Sequence, residues 1–219
     1  MPSPIGHSLT GWLTAAWRDG SFKPVHPGRF LLYVVVANGP DLDFIPGLLT
    51  GAPNLYHHGR SHSLGAGILF VCGCFLLMKF YTLVKTRFSK FAEQQPKELQ
   101  GTVRRSRGFR ETDKLFGKKL PWAEGATLFF LYVVHVFLDL FSMDGRPPFG
   151  VPLFWPLTEN YFMVPLLPPV KHSVLDHATL GQFLTDALSC HNLLVIGLEL
   201  LMVLPLALLV LWRHRVKMS

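Results

Sequence analysis

The chain has 219 residues, enough for one compact domain, with 49% hydrophobic residues, 16% charged residues and a mean hydropathy of +0.31. That composition excludes an ordinary soluble enzyme and marks a polytopic membrane protein. The formal net charge of +7 is local, because Lys85–Lys119 holds eleven Lys or Arg against four Asp or Glu. Hydrophobic segments flank this run, so it reads as a cytosolic loop obeying the positive-inside rule, and no nucleic-acid partner is expected.

In chain order, the first apolar segment is Ile5–Trp17, too short to span and expected as a half-inserted helix. Four stretches have the length and apolarity of membrane helices: Phe30–Leu49, interrupted by NGPDLD, then Leu64–Val84, Ala126–Met143 and Leu193–Trp212. The expected architecture is all-α, a polytopic helical bundle of about four spans plus the N-terminal half-helix, forming a single domain over residues 1–219. Residues 85–120 are the basic cytosolic loop and 145–190 an extracytoplasmic segment rich in Pro and aromatics. Within the latter, Arg146–Pro169 carries too many prolines for a regular helix. It is expected as a folded loop at the membrane surface, anchored by Phe154, Trp155, Tyr161 and Phe162. No basic region followed by a long apolar run opens the sequence, so insertion is assigned to the membrane segments rather than to a cleaved signal. Cys72, Cys74 and Cys190 form no disulfide framework or CxxC motif and read as packing residues.

Against this apolar background certain polar residues stand out. Asp41 and Asp43, in PDLD, interrupt a membrane-like run, and a carboxylate at that depth is costly unless paired or bound to a cation. A turn or N-cap after Pro40 accounts for one of them more readily than for both. His135 and Asp139 lie four apart in VVHVFLD, which places both on one helix face. His57 and His62 flank the HHGRSH turn, with Ser61 as a candidate N-cap for the helix that follows, and His7 stands among small residues in IGHSLTG. Placing the basic sets around Arg18–Arg29, Lys85–Lys119 and Arg213–Lys217 on the cytosolic side makes the helices alternate. All seven of these His and Asp residues then gather at the opposite, extracytoplasmic face.

Four imidazoles and three carboxylates suit a borderline divalent cation, zinc first and manganese second. Seven donors exceed what one tetrahedral catalytic ion takes and suit two ions with a bridging Asp. Other candidates carry bland readings. His58 is expected to diverge from His57 toward a supporting or surface position, and His26 reads as a loop residue. His172, Asp176, His177 and His191 fall in a polar extramembrane segment, and Glu199 in the last helix is a candidate partner for one of the histidines.

The motif order matches a known family. Gly6–His7, Pro40–Asp43, His57–Ser63, His135–Asp139 and Gly150–Pro156 together resemble the YdjM family of bacterial and archaeal inner-membrane proteins, regarded as predicted metal-dependent hydrolases, some under LexA control. The motif order is also distantly similar to zinc-dependent phospholipase C and P1-type nuclease. Where the family's middle motif reads HRG-x-[ST]-HS, this chain reads HHGRSHS, and Phe44 stands where some members carry a His. The resemblance implies a membrane-embedded hydrolase in the inner membrane, with a metal-activated water attacking a phosphoester of a lipid or lipid-linked substrate. Arg60 or Arg146 would stabilise the anionic transition state. Ester or amide hydrolysis is the variant chemistry. Two rivals come from other classes: a metal-ion transporter, which needs polar residues through both leaflets, and a scaffold acting through the basic loop.

Overall fold

The computed structural model describes residues 4–23, 26–50, 57–93, 122–144, 147–169 and 188–218. Most of the basic loop, Arg146, His172, Asp176 and His177 lie outside the described residues. The elements are helices α1 (Pro4–Asp19) and α2 (Pro27–Ala37), a 3-10 turn (Pro40–Asp43), and helices α3 (Phe44–Leu49), α4 (Leu64–Glu93), α5 (Trp122–Leu140) and α6 (Cys190–Met218). The fold is all-helical, and only isolated bridges, Ser142 with Leu167 and Val151 with Phe162, interrupt that pattern among the described residues.

Three of these helices, α4, α5 and α6, are long and apolar enough to cross a membrane. The fourth expected span is not confirmed. Phe30–Leu49 divides into α2, the 3-10 turn and the short α3. Eleven residues of α2 rise only about 16 Å, against about 30 Å of bilayer hydrocarbon. The cause is local. Pro40 has no N–H to continue the α-helical ladder, and Asn38 closes the helix by donating from its side chain to the Val34 carbonyl at 2.8 Å.

Helix α5 is the centre of the bundle: 56% of its apolar stretch is buried, against 22% for α6 and 6% for α4. Leu128 and Leu131 pack with Ala15, Tyr33, Val36 and Ala37 of α1 and α2. From about one turn further along the helix, Tyr132, Val136 and Leu140 pack against Val151 and Leu153 of the loop that follows α5. Helix α6 joins through Val203 and Val210 against Leu13 and Ala16 of α1. Helix α1 is thus seated among the other helices, and its Gly11 permits the closest approach: a Cβ there would lie 2.8 Å from the Tyr33 carbonyl oxygen. On α4, Leu76, Leu77, Phe80 and Leu83 are exposed, as suits a helix bathed in lipid.

The two ends of the bundle differ in chemistry. At one end Glu124 accepts from Arg18 Nη2 at 2.8 Å and from the Tyr33 hydroxyl at 2.6 Å, and Arg213 lies over the Trp17 ring at 4.3 Å. His135, three turns along α5 and about 16 Å from Glu124, belongs to the other end.

Candidate metal centre

Four elements deliver polar side chains to that second end. Helix α5 contributes His135 and Asp139 from one face, as their spacing requires. The 3-10 turn contributes Asp41 and Asp43, the 57–63 segment its histidines, and α1 contributes His7. His7, His62, His135 and Asp139 are almost completely buried.

Four donor atoms converge. His135 Nε2 lies 3.0 Å from Asp139 Oδ2, 3.5 Å from Asp41 Oδ1 and 3.3 Å from His62 Nε2. His62 Nε2 lies 3.3 Å from Asp139 Oδ2 and 3.4 Å from Asp41 Oδ1. Ligands held about 2.0–2.1 Å from a tetrahedral ion stand about 3.3 Å from one another, so these separations have the dimensions of a four-coordinate site.

The hydrogen bonds behind the donors set which nitrogen is free. His135 Nδ1 donates to the Ala37 carbonyl at 2.7 Å, a group left at a helix end by the break before Pro40. His62 Nδ1 faces Asp43 Oδ2 at 3.2 Å, and Ser61 donates its hydroxyl to the same oxygen at 2.8 Å. Each backing bond leaves a lone pair on Nε2 pointing inward, the arrangement found behind metal-bound histidines. Asp139 Oδ2 is buried with no hydrogen-bond partner among the described residues. Two lone pairs and two carboxylate oxygens facing one another repel, and a cation at their centre removes that repulsion. The donor set therefore fits a divalent metal by its own chemistry, with imidazole and carboxylate favouring a borderline ion.

Asp43 meets this group from behind. Its Oδ1 accepts from His57 Nδ1 at 3.1 Å and its Oδ2 faces His62. His57 stacks on Phe44 with ring centroids 4.0 Å apart. His7 stacks on His135 at 3.8 Å, and its Nε2 lies 3.9 Å from Asp139 Oδ1. All seven residues singled out in the sequence are thus brought into one cluster. Arg60 is exposed at the surface, paired with Glu159 at 3.2 Å and set over the Trp155 ring at 5.7 Å.

Two expectations need correction. His58 does not diverge from His57: it adopts a left-handed backbone, φ 57°, which turns its ring inward beside those of His57 and His62. Its Nδ1 lies 3.0 Å from Asp144 Oδ2, a residue passed over in the sequence. Asp144 also accepts from the Gly150 backbone at 2.6 Å, where φ is +90° and a Cβ would collide with the Phe162 carbonyl. A two-histidine run ahead of Gly59 and an Asp in the turn after Asp139 were the available signals. The second correction concerns the cap of α4: Ser63, not Ser61, accepts the Ala66 N–H at 3.0 Å, which frees Ser61 to hold Asp43.

Burial lowers the pKa of His57, and the fields of His58 and His62 add to that, against the bond to Asp43. Burial also opposes charge on His58, but Asp139 and Asp144 outweigh it and raise its pKa to about 9. Elsewhere, Glu199 is fully buried beside Gly6, a Cβ on which would lie 3.1 Å from its Oε2. His191 Nε2 contacts the Pro169 carbonyl at 2.8 Å, and His26 stands exposed at the N-cap of α2.

Fold and site together define an integral membrane protein of apolar helices carrying a buried His/Asp cluster able to hold a metal ion. The model of the family described as YdjM inner membrane protein matches residues 1–216, and the chain belongs to that family. No curated protein and no solved structure matches it, so the distant likeness to zinc phospholipases and P1-type nucleases rests on motif order alone.

Proposed function

We propose that this protein is a membrane-embedded metal-dependent hydrolase that cleaves a phosphoester of a lipid or lipid-linked substrate. The observation that carries the reading is the convergence of His62 Nε2, His135 Nε2, Asp41 Oδ1 and Asp139 Oδ2 at 3.0–3.5 Å with their lone pairs inward. A zinc or manganese ion bound there would act as a Lewis acid and supply a water of lowered pKa.

The chain's own residues position and shield. Asp43 and the Ala37 carbonyl hold the two imidazoles in the productive tautomer. Asp41 is the most exposed of the four donors, its side chain 20% accessible, and marks the open side of the site. Leu42 and Ile45 beside it are exposed, as are Phe149, Phe154 and Leu157 of the 147–169 loop. Exposed apolar side chains of this kind suit an amphiphile approaching at headgroup depth. Arg60, which lies over Trp155, would attract an anionic headgroup, and Arg146 is a second candidate for that role. The basic ends of the chain meet near Arg18 and Arg213, which supports an extracytoplasmic site under the positive-inside rule. The match over residues 1–216 supports a single domain.

The test is elemental mass spectrometry of the detergent-purified protein beside its His62→Ala variant, followed by hydrolysis assays on phospholipids and isoprenoid phosphates. Bound zinc or manganese lost in the variant, with product release that a chelator abolishes, supports the reading. Absence of metal after purification without chelator, together with no binding on addition of Zn(II) or Mn(II), refutes it.

A further inference from the structure

At the end of the bundle away from the metal cluster, a cavity of about 350 Å³ lies between α5 and α6 with α1 as its floor. Trp17 and Arg18 of α1, Ala126 and Phe130 of α5, and Leu206 and Leu209 of α6 line it. The floor is anchored on both sides, since α1 packs on α5 through Ala15 and on α6 through Leu13 and Ala16. Two threonine hydroxyls also face the cavity, but Thr14 donates to the Thr10 carbonyl at 2.8 Å and Thr127 to the Ala123 carbonyl at 2.7 Å. The walls are therefore largely apolar. Phe130 and Leu209 remain exposed, which leaves the cavity open at its side.

Tryptophans give its depth. Trp17, Trp122 and Trp212 all stand at this end of α1, α5 and α6, and tryptophan collects where hydrocarbon meets headgroups. Phe130 and Leu206 lie about 12 Å and 9 Å along their helices from Trp122 and Trp212, so the cavity reaches into the hydrocarbon. A side-opening apolar cavity at that depth meets acyl chains rather than water. At about 30 Å³ per carbon, close to the share of one water molecule, it takes about a dozen methylenes, one chain rather than two.

The cations stand at headgroup level. Arg18 donates from Nη2 to Glu124 at 2.8 Å, which balances its charge. Arg213 has no carboxylate partner among the described residues, and its guanidinium lies 4.3 Å over the ring of Trp17, a wall of the cavity. A guanidinium stacked by its face presents its N–H groups at the edge, in the plane that suits phosphate oxygens. Leu206, Leu209 and Arg213 follow one another at helical spacing, so the apolar wall of α6 ends in that cation.

We propose that this cavity binds one anionic phospholipid of the cytosolic leaflet, with an acyl chain between α5 and α6 over α1 and its phosphate held by Arg213. The leaflet follows from the positive-inside rule. His135 lies about 16 Å along α5 from Glu124, so this lipid is separate from any substrate of the metal centre, and the proposal does not depend on the hydrolase reading.

The experiment is native mass spectrometry of the full-length protein in non-ionic detergent, titrated with dioleoylphosphatidylglycerol or with dioleoylphosphatidylcholine, which differ only in headgroup. Phosphatidylglycerol is expected to bind at about one per chain and at least about fivefold more tightly than phosphatidylcholine. Arg213→Gln should remove that preference, whereas Arg215→Gln, exposed at the same helix end, should keep it. Ala126→Phe, which fills the cavity, should weaken both lipids. His62→Ala should leave lipid binding unchanged, and Arg213→Gln should keep the metal content of the wild type. Equal affinity for the two lipids would make the cavity a seat for bulk lipid and overturn the proposal. So would an undiminished preference in Arg213→Gln, or loss of the lipid in His62→Ala, which would place it at the metal end. Displacement of the lipid by equimolar glycerol phosphate would reduce the site to a bare anion contact and reject the acyl-chain assignment. If Ala126→Phe aggregates, Arg213→Gln decides.

Discussion

His62 Nε2 and His135 Nε2 stand 3.3 Å apart, each with its other ring nitrogen engaged by a backing group, Asp43 for one and the Ala37 carbonyl for the other. Neither backing group belongs to α5, so the site depends on the break in the α2 region as much as on the helix that carries His135. A continuous helix through Ala37–Asp43 would consume that carbonyl and carry Asp41 and Asp43 in different directions.

Removing a donor should remove the ion. His135→Ala is expected to lower affinity for Zn(II) by at least about 100-fold, because a ligand's loss exceeds the roughly 10–100-fold effect of losing a supporting group. Competition titration against a chromophoric chelator measures this directly. An affinity within twofold of wild type would show that His135 is a packing residue.

Asp43→Asn tests the backing role separately. The amide keeps the size but weakens the hold on His57 and His62, so affinity should fall by about 10–100-fold with stoichiometry preserved at saturating metal. A drop in stoichiometry at saturation would make Asp43 a ligand instead.

Metal-free stability should depend on pH through His58. Its pKa is raised in the folded state to about 9, from an ordinary value near 6.5. A raised pKa adds stability that is fully present below about 6.5 and lost as pH rises through about 9. The unfolding temperature of chelator-treated protein should therefore fall between pH 6.5 and 9.5, and less so in His58→Gln. A flat profile in the wild type would contradict the ion pairs with Asp139 and Asp144.

At the other end of the bundle, Glu124→Gln breaks the charge-assisted bonds to Arg18 and Tyr33. The expected loss is about 2 kcal/mol, with metal content unchanged. Thermal unfolding in detergent, run beside elemental analysis, separates stability from the site. Loss of metal in this variant would mean the two ends are coupled.

Gly11→Leu should destabilise by about 1–3 kcal/mol, since α1 and α2 meet at backbone contact there. A stability equal to wild type would mean the two helices sit farther apart than described.

By itself the sequence determined what local chemistry can express. Apolar runs, Pro40 and the basic loop mark a helical membrane protein, and the spacing of His135 and Asp139 places both on one face, because helix periodicity depends only on neighbours in the chain. The same local logic flagged Asp41, Asp43, His57, His62 and His7 as polar residues out of place, though it left their mutual arrangement open. Tertiary structure decided the rest. Whether Phe30–Leu49 crosses as one helix, whether Ser61 caps α4 or holds Asp43, and which way His58 turns all depend on contacts between distant segments. His58 shows why: an inward-facing left-handed residue is bound up with Asp144, 86 residues away in sequence. No spacing rule reports which oxygen of Asp139 faces which imidazole, since that is fixed only when α1, α5 and the 57–63 segment pack together.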